Sequence, residues 1–326
     1  MKIAIIGSPL LDGNKTRGVG FYTKNLIENL KTQKDIELVH TKDANLIHYP
    51  FFDPFATTLK IFKKATIVTV HDLIPLQFKP HFPVGVKGNI KWLLQLMSLK
   101  KASAIITVSE YSKKIINQIT GIPLSKIFVT YLSADITCKP IKEKMLLQAI
   151  KQKYNLPEKF VLYVGDINWN KNIPKLLETC KELNYPLVIV GSAAVKKDVP
   201  IHPWTQDLLT IQNDTYSQKI GFIPDDELPI IYNLATIYCQ PSHAEGFGLP
   251  PLQAMACGCP VICNMVTSLP EVVDKAALNF TKDNFVKLWN NKSIRDKHIK
   301  LGLSQAKKFN WQLTAQKTME IYAKYI

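Results

Sequence analysis

No stretch of this sequence approaches the roughly 18–20 consecutive apolar residues needed to cross a bilayer, so no helical membrane span is expected. The opening segment MKIAIIGSPLLDG also lacks the marks of a secretory leader. Its apolar run is short, ends in a Gly-Ser-Pro loop and shows no small-residue cleavage pattern. It reads as a first β-strand, and a cytoplasmic protein, at most resting on the inner face of the membrane, is expected. Arginine is nearly absent, with Arg17 and Arg295 the only two among 41 basic residues. The net charge of +15 therefore rests on lysines scattered among Asn and Ile, and no nucleic-acid-binding motif accompanies it. Nucleic acid is accordingly not expected as a partner. Paired C-x2-C zinc spacing is missing too. Cys257, Cys259 and Cys263 form C-x-C-x3-C among small and β-branched residues, where free cysteine behaves as a small hydrophobe. No metal site is expected.

Hydrophobic residues make up 46% of the chain and charged residues 21%, which excludes wholesale disorder. A length of 326 residues suits one large domain or two ordinary ones. Short runs rich in Val and Ile (KIAIIG, NLIHYP, ATIVTVHD, ASAIITVS, KIFVTYL) alternate with helical stretches such as GVGFYTKNLIENLKTQ. Continuous apolar strands separated by helices indicate a parallel sheet covered on both faces. From about Ala134 to Lys159 the rhythm breaks, and it then restarts with FVLYVGD, PLVIVG, KIGFIP and TIYCQPS. The fold class is therefore α/β, with two tandem doubly wound, Rossmann-like domains facing across a cleft. The boundaries fall at residues 1–140 and 141–305, and a closing amphipathic helix, 306–326, is expected to pack back toward the N-terminal domain. Ligand crevices in such sheets lie beyond the carboxyl ends of the strands. Gly7, His71, Asp72, Ser109, Gly165, Gly191 and Ser242–Glu245 all sit there.

The segment HAEGFGLPPLQAMACGCPVICN, His243 to Asn264, sets a lone Glu245 before a glycine turn and a helix. Backbone amides of Gly246, Phe247, Gly248 and Leu249 near a helix start favour an anion, and the glycines admit close backbone approach. Glu245 would instead accept hydrogen bonds from ligand hydroxyls. The plainer alternative makes it a helix cap, although caps favour Asp over Glu. TRGVGF, residues 16–21, is a Gly-x-Gly loop before a helix; after the first strand of a doubly wound domain it suggests that Gly18 and Gly20 let the backbone approach a ligand such as a phosphate, the plainer alternative being an ordinary βα turn. His71 ends the strand TIVTV and can hydrogen-bond a ligand hydroxyl.

Several motifs in order give a resemblance. PSHAEGFGLPPLQAMACGCPVICNMVTSLPEV looks like the signature of retaining glycosyltransferases of family 4, which have the GT-B fold. RGVGFYTKNLIENL, TIVTVHDLIPL, ITVSEYSKKII, VLYVGDINWNKNIPKLL, DDELPIIYNLATIYCQPS and FNWQLTAQKTMEIY resemble the family's other blocks, so nearly the whole chain is covered. The resemblance implies retaining, metal-independent transfer from a nucleotide-diphosphate sugar to a glycan or lipid-linked acceptor, as in polysaccharide biosynthesis, with no separate cofactor. It assigns Lys171 to the diphosphate, Glu245 to the sugar hydroxyls and His71 to the donor or acceptor. The position where the family carries a second Glu, on the nucleotide ribose, is Gln253 here. Where it often carries an Arg, this chain has Asp166 and Asn170.

The helix KGNIKWLLQLMSLKK has an apolar face and a basic rim. Its apolar residues suit the cover of a sheet, the reading adopted here, with peripheral contact to an anionic membrane as the alternative. Rival functions are a non-catalytic nucleotide-sugar or glycan-binding descendant, motivated by Gln253 and the missing Arg, and a basic nucleic-acid binder, motivated by charge alone. A sugar phosphorylase shares the two-domain plan, but no pyridoxal-phosphate lysine motif is present.

Overall fold

The computed structural model describes residues 1–11, 18–59, 63–197 and 199–326. It divides into two compact units, one of Met1–Leu132 with Phe309–Ile326 and one of Ser133–Lys308.

The first unit is built on six strands: β1 Lys2–Ile5, β2 Glu37–Leu38, β3 Leu46–Tyr49, β4 Ala65–Thr69, β5 Ala104–Thr107 and β6 Ile127–Val129. They lie in the order β2-β1-β3-β4-β5-β6, all parallel. The second unit repeats the plan with β7 Val161–Val164, β8 Leu187–Val190, β9 Gln218–Ile220, β10 Ile237–Gln240, β11 Val261–Cys263 and β12 Leu278–Asn279. Its order is β12-β11-β10-β7-β8-β9, again parallel throughout. Every residue of β5, β8 and β10 is buried. Such strands carry helices on both faces and so read as unbroken apolar runs. Each fully buried Val, Leu or Ile side chain contributes about 1.5–3 kcal/mol, so these runs anchor both cores.

The core of the first unit gathers Val68, Val70, Ile105, Ile116 and Ile127. Its closing helix, Trp311–Ala323, comes from the far end of the chain and buries Trp311, Ala315, Ile321 and Tyr322. In the second unit Val161, Leu176, Ile189, Ile237, Ile262 and Phe285 cluster around the sheet.

One expectation fails. The helix Gly85–Lys100 does not use its main apolar stripe to cover the sheet. Only Gly88, Gln95 and Leu99 are buried, with Trp92 packed partly on the core. Val86, Ile90, Leu93, Leu94 and Met97 are between 54% and 77% exposed. The helix is apolar on two sides, and its sequence does not say which side meets the sheet.

The strand order creates the sites. In each sheet the chain starts centrally and later returns to the other side, leaving a crevice where the order reverses. In the second unit that point lies between β7 and β10, which are paired through Ile237↔Val161 and Tyr238↔Leu162. In the first it lies between β1 and β3.

Candidate active site

The loops leaving β7 and β10 meet at the reversal point of the second sheet. After β7 the chain makes a short 3-10 turn, Trp169–Lys171. After β10 it runs through Pro241–Gly248 into the helix Leu249–Ala256. Asn170, only 6% exposed, staples the two loops. Its side-chain amide donates to the Ala244 carbonyl at 3.0 Å, and its carbonyl accepts from the His243 N–H at 2.8 Å. Trp169 stacks on His243 with ring centroids 4.9 Å apart. The position where the family often has Arg is thus filled by a buried amide that ties the two loops together. The other such position, Asp166, is exposed.

This stapling brings Lys171 and Glu245 together. The Lys171 ammonium donates to both carboxylate oxygens of Glu245, at 2.9 Å and 2.8 Å. The pair is largely buried, the side chains being 21% and 8% exposed. Glu245 Oε1 also accepts from Gln240 Nε2 at 2.7 Å and from the Ser242 hydroxyl at 2.6 Å. Gln240 is oriented in turn: its Oε1 accepts from the Tyr238 hydroxyl, and its amide nitrogen also reaches Ser242 Oγ at 2.8 Å. Burial above all, and nearby acidic groups including Glu245 after it, hold the Tyr238 phenol protonated and able to donate. A buried carboxylate without such donors and a cation would carry a heavy desolvation cost.

The backbone of this loop is fixed from the other side. The Glu245 N–H donates to Thr267 Oγ1 at 3.0 Å. Ser268 Oγ donates to the carbonyls of Glu245 and Phe247, both at 2.9 Å. Thr267 holds a left-handed backbone, φ 53°, an outlier for a β-branched residue and a form of strain found at ligand sites. Gly248 precedes the helix at φ 111°, and a Cβ there would stand 2.7 Å from Leu269 Cδ2. Only glycine fits. No side chain caps this helix, so Glu245 is not a capping residue. Pro250 and Pro251 have no N–H, which leaves the Leu249 amide as the donor of the first helical positions. Anion binding by a full set of helix amides is therefore narrowed to Leu249 and the loop before it, Gly246–Gly248. Gln253 lies half-buried on the helix, its Oε1 3.4 Å from the Tyr232 hydroxyl.

His71 belongs to the first unit, beyond the end of β4, and is half-buried. Its Nε2 donates to the Pro50 carbonyl at 3.1 Å, and its ring meets Tyr22 edge-on at 4.9 Å. Desolvation lowers its pKa to about 4, against an opposing effect of the Pro50 carbonyl. The ring is therefore neutral near pH 7, and Nδ1 is left as the acceptor. The Oδ1 of the neighbouring Asp72 accepts from the Ile74 N–H at 3.1 Å. Behind His71 lies a buried polar chain. Tyr22 OH is 3.1 Å from Thr69 Oγ1, Thr69 Oγ1 is 2.8 Å from His48 Nε2, and His48 Nδ1 is 2.6 Å from the hydroxyl of Tyr322 on the closing helix. Burial first, and the like charge of His71 second, push His48 down to about 3.

Gly18 and Gly20 lie in the first turn of the helix Gly18–Leu30 rather than in a loop. Thr16 and Arg17 of the same motif fall outside the described residues. A Cβ on Gly18 would meet nothing within 4 Å. Gln240, Thr267, Ser268 and His48 escaped the sequence reading. Their contacts are long-range, and only the QPS and TSLP segments beside the signature hinted at them.

Two family models match the chain: Glycosyl transferases group 1 over residues 148–287, and Glycosyltransferase Family 4 over residues 4–137. O-antigen chain mannosyltransferase B of Escherichia coli is 30% identical over 277 residues, covering 78% of this chain and 69% of that one. The chain belongs to the group 1, family 4 glycosyltransferases. It also matches the serotype-specific mannosyltransferase WbdA of Escherichia coli, 28% identical over 282 residues, but spans only about a third of its length (34%). Anabaena HepE, solved in complex with UDP and glucose, superposes with a TM-score of 0.73 over 99% of both chains at 14% identity. The two parallel sheets are those of the GT-B fold. As a glycosyltransferase of this family, the chain takes its sugar from a nucleotide-sugar donor.

Proposed function

We propose that this glycosyltransferase moves mannose, with retention of configuration and without a metal ion or resident cofactor, from a nucleoside-diphosphate donor to a growing glycan or lipid-linked saccharide. The mannosyltransferase relatives support the sugar and the acceptor class. The observation that carries the mechanism is the buried Lys171–Glu245 pair at the reversal point of the second sheet. Lys171 has three N–H donors and commits two to Glu245. The third would take a diphosphate oxygen, joined by the Leu249 amide and the backbone of Gly246–Gly248. Positive charge and amides placed where negative charge develops on the leaving group lower the barrier. Glu245 Oε1 is filled by Gln240, Ser242 and Lys171, whereas Oε2 accepts only from Lys171 among the described contacts. Oε2 is thus the atom suited to a sugar hydroxyl, and Gln253 would accept from the ribose. Neutral His71 would accept a ligand hydroxyl through Nδ1 and position it. The departing diphosphate would take the acceptor proton on the same face. Six unpaired thiols suit a reducing compartment such as the cytoplasm.

The test is direct. The purified chain is given a panel of nucleoside-diphosphate sugars, mannose donors among them, with an acceptor saccharide and excess chelator, and the anomeric configuration of the product is read by NMR. Retained configuration with chelator present is expected. An inverted product would overturn retention, loss of transfer restored by magnesium or manganese would overturn metal independence, and transfer of another sugar only would overturn mannose.

A further inference from the structure

Thr267 and Ser268, consecutive in the loop after β11, each forgo what their own position favours. Thr267 is β-branched yet holds φ 53°, a conformation such side chains rarely adopt. Ser268 stands at the N-cap of the short helix Leu269–Val273 but makes no side-chain cap there, the contact that makes serine common at that position. Both side chains turn instead to one stretch of backbone. Thr267 Oγ1 accepts from the Glu245 N–H at 3.0 Å. The hydroxyl of Ser268, a fully buried residue, lies 2.9 Å from the carbonyl oxygens of both Glu245 and Phe247 and shares its single proton between them.

The effect of this grip follows from the peptide bond. No peptide among the described residues is cis, and in a planar trans peptide the N–H points opposite to the preceding C=O. With the Glu245 and Phe247 carbonyls drawn back to one hydroxyl, the N–H groups of Gly246 and Gly248 both face away from Ser268. The Gly248 and Leu249 amides have no hydrogen-bond partner among the described residues. Satisfying two buried carbonyls would by itself require neither a strained residue nor a forgone cap. Both are accounted for when the direction of the loop's amides matters.

We infer that Ser268 and Thr267 are positioning residues for the leaving group: Ser268 aims the Gly246 and Gly248 amides at the donor diphosphate, and Thr267 holds the Glu245 end of the same loop in place. The inference rests on the reading of this loop as the diphosphate site.

The experiment titrates the full chain and its Ser268→Ala variant with GDP, UDP, guanosine and uridine. An oriented amide makes a charge-assisted bond to a phosphate oxygen. Ser268→Ala should therefore weaken binding of whichever diphosphate the wild type prefers roughly tenfold, while affinity for the matching nucleoside stays the same. This variant strips the donor from two carbonyls and lowers stability, so Thr267→Gly supplies a second arm. Glycine adopts this backbone without strain, and the melting temperature should stay within a few degrees of the wild type. Diphosphate binding should nevertheless fall severalfold, and Thr267→Ser, which keeps the hydroxyl, should restore it. Unchanged diphosphate affinity in the folded variants, or an equal loss for nucleoside and diphosphate, would overturn the inference. A wild-type chain that binds neither diphosphate would overturn it together with the donor site of the proposed reaction. Diphosphate binding that depends on Ser268, in a chain that transfers no sugar, would sink only the proposed reaction.

Discussion

The two units solve the same electrostatic problem in opposite ways. In the second, the buried Glu245 carboxylate is met by four donor contacts, from Lys171, Gln240 and Ser242. In the first, the imidazoles of buried His48 and half-buried His71 are held uncharged. His48 and His71 are lowered to about 3 and about 4, mainly by desolvation, and their partners are hydroxyls, a carbonyl and aromatic rings. Burial penalises any charge, and a fold answers either with a countercharge or by neutralisation. A charged, donor-rich crevice suits a diphosphate whose negative charge grows during reaction. A neutral one suits hydroxyls that must be held without being ionised.

Breaking the ion pair from the cationic side should have the largest effect. Lys171→Met leaves Glu245 charged, buried and without its cation, a situation that costs about 3–5 kcal/mol. The lower end is expected because Lys171 keeps 21% exposure. Urea unfolding should show the loss, and adding Glu245→Gln to the same chain should recover most of it. An equal loss in the double variant would mean that uncompensated charge is not the cause.

From the anionic side the effect should be on turnover. Glu245→Gln removes a charged acceptor worth about 1.5–3 kcal/mol, which is roughly 10–150-fold in kcat/KM. A folded variant with wild-type kinetics would take Glu245 out of the reaction.

The neutral side is probed by pH. An imidazole whose folded pKa is depressed stabilises fully above the unfolded value of about 6.5 and loses that stabilisation as pH falls toward the folded value. Between pH 6.5 and 5 each such group should cost the fold about 1.6 kcal/mol. His48→Gln should therefore show a shallower decline in stability over that window than the wild type. Parallel curves would mean that His48 is not held neutral by burial.

Gln253→Glu sharpens the comparison with the smallest effect. A carboxylate can still accept from Tyr232, as Gln253 does at 3.4 Å. If the side chain also meets the ribose, donor KM should fall by the equivalent of about 1 kcal/mol with little change in kcat. Weaker donor binding would assign Gln253 to another contact.

Much of the fold was legible because buried parallel strands announce themselves. LVIV of β8 and AIIT of β5 admit no polar residue to the inward positions except Thr107. β2 and β12, two residues each at sheet edges, carry no run to read. The site was legible residue by residue but not as an arrangement. Glu245 and Lys171 stand out beside glycine turns, yet they are 74 positions apart. Their pairing depends on β10 returning beside β7, which local pattern does not encode. His48 and Tyr322, 274 positions apart, look like an ordinary strand residue and an ordinary helix residue. The misassigned stripe on Gly85–Lys100 has the same origin, since periodicity reveals faces and not what they meet.

The placement of the helix Trp311–Ala323 in the first unit has a consequence for synthesis. The ribosome completes Met1–Leu132 early, but the Tyr322 hydroxyl that engages His48, and the Trp311 and Ile321 side chains of the same core, emerge only after all of Ser133–Lys308. At roughly 5–20 residues per second, the nascent first unit waits on the order of 10–35 s with part of its apolar surface and a buried imidazole uncovered. The second unit, contiguous in sequence, faces no such delay. Chaperone capture during translation should therefore concentrate on Met1–Leu132, whose core is closed by residues made after the whole of the second unit.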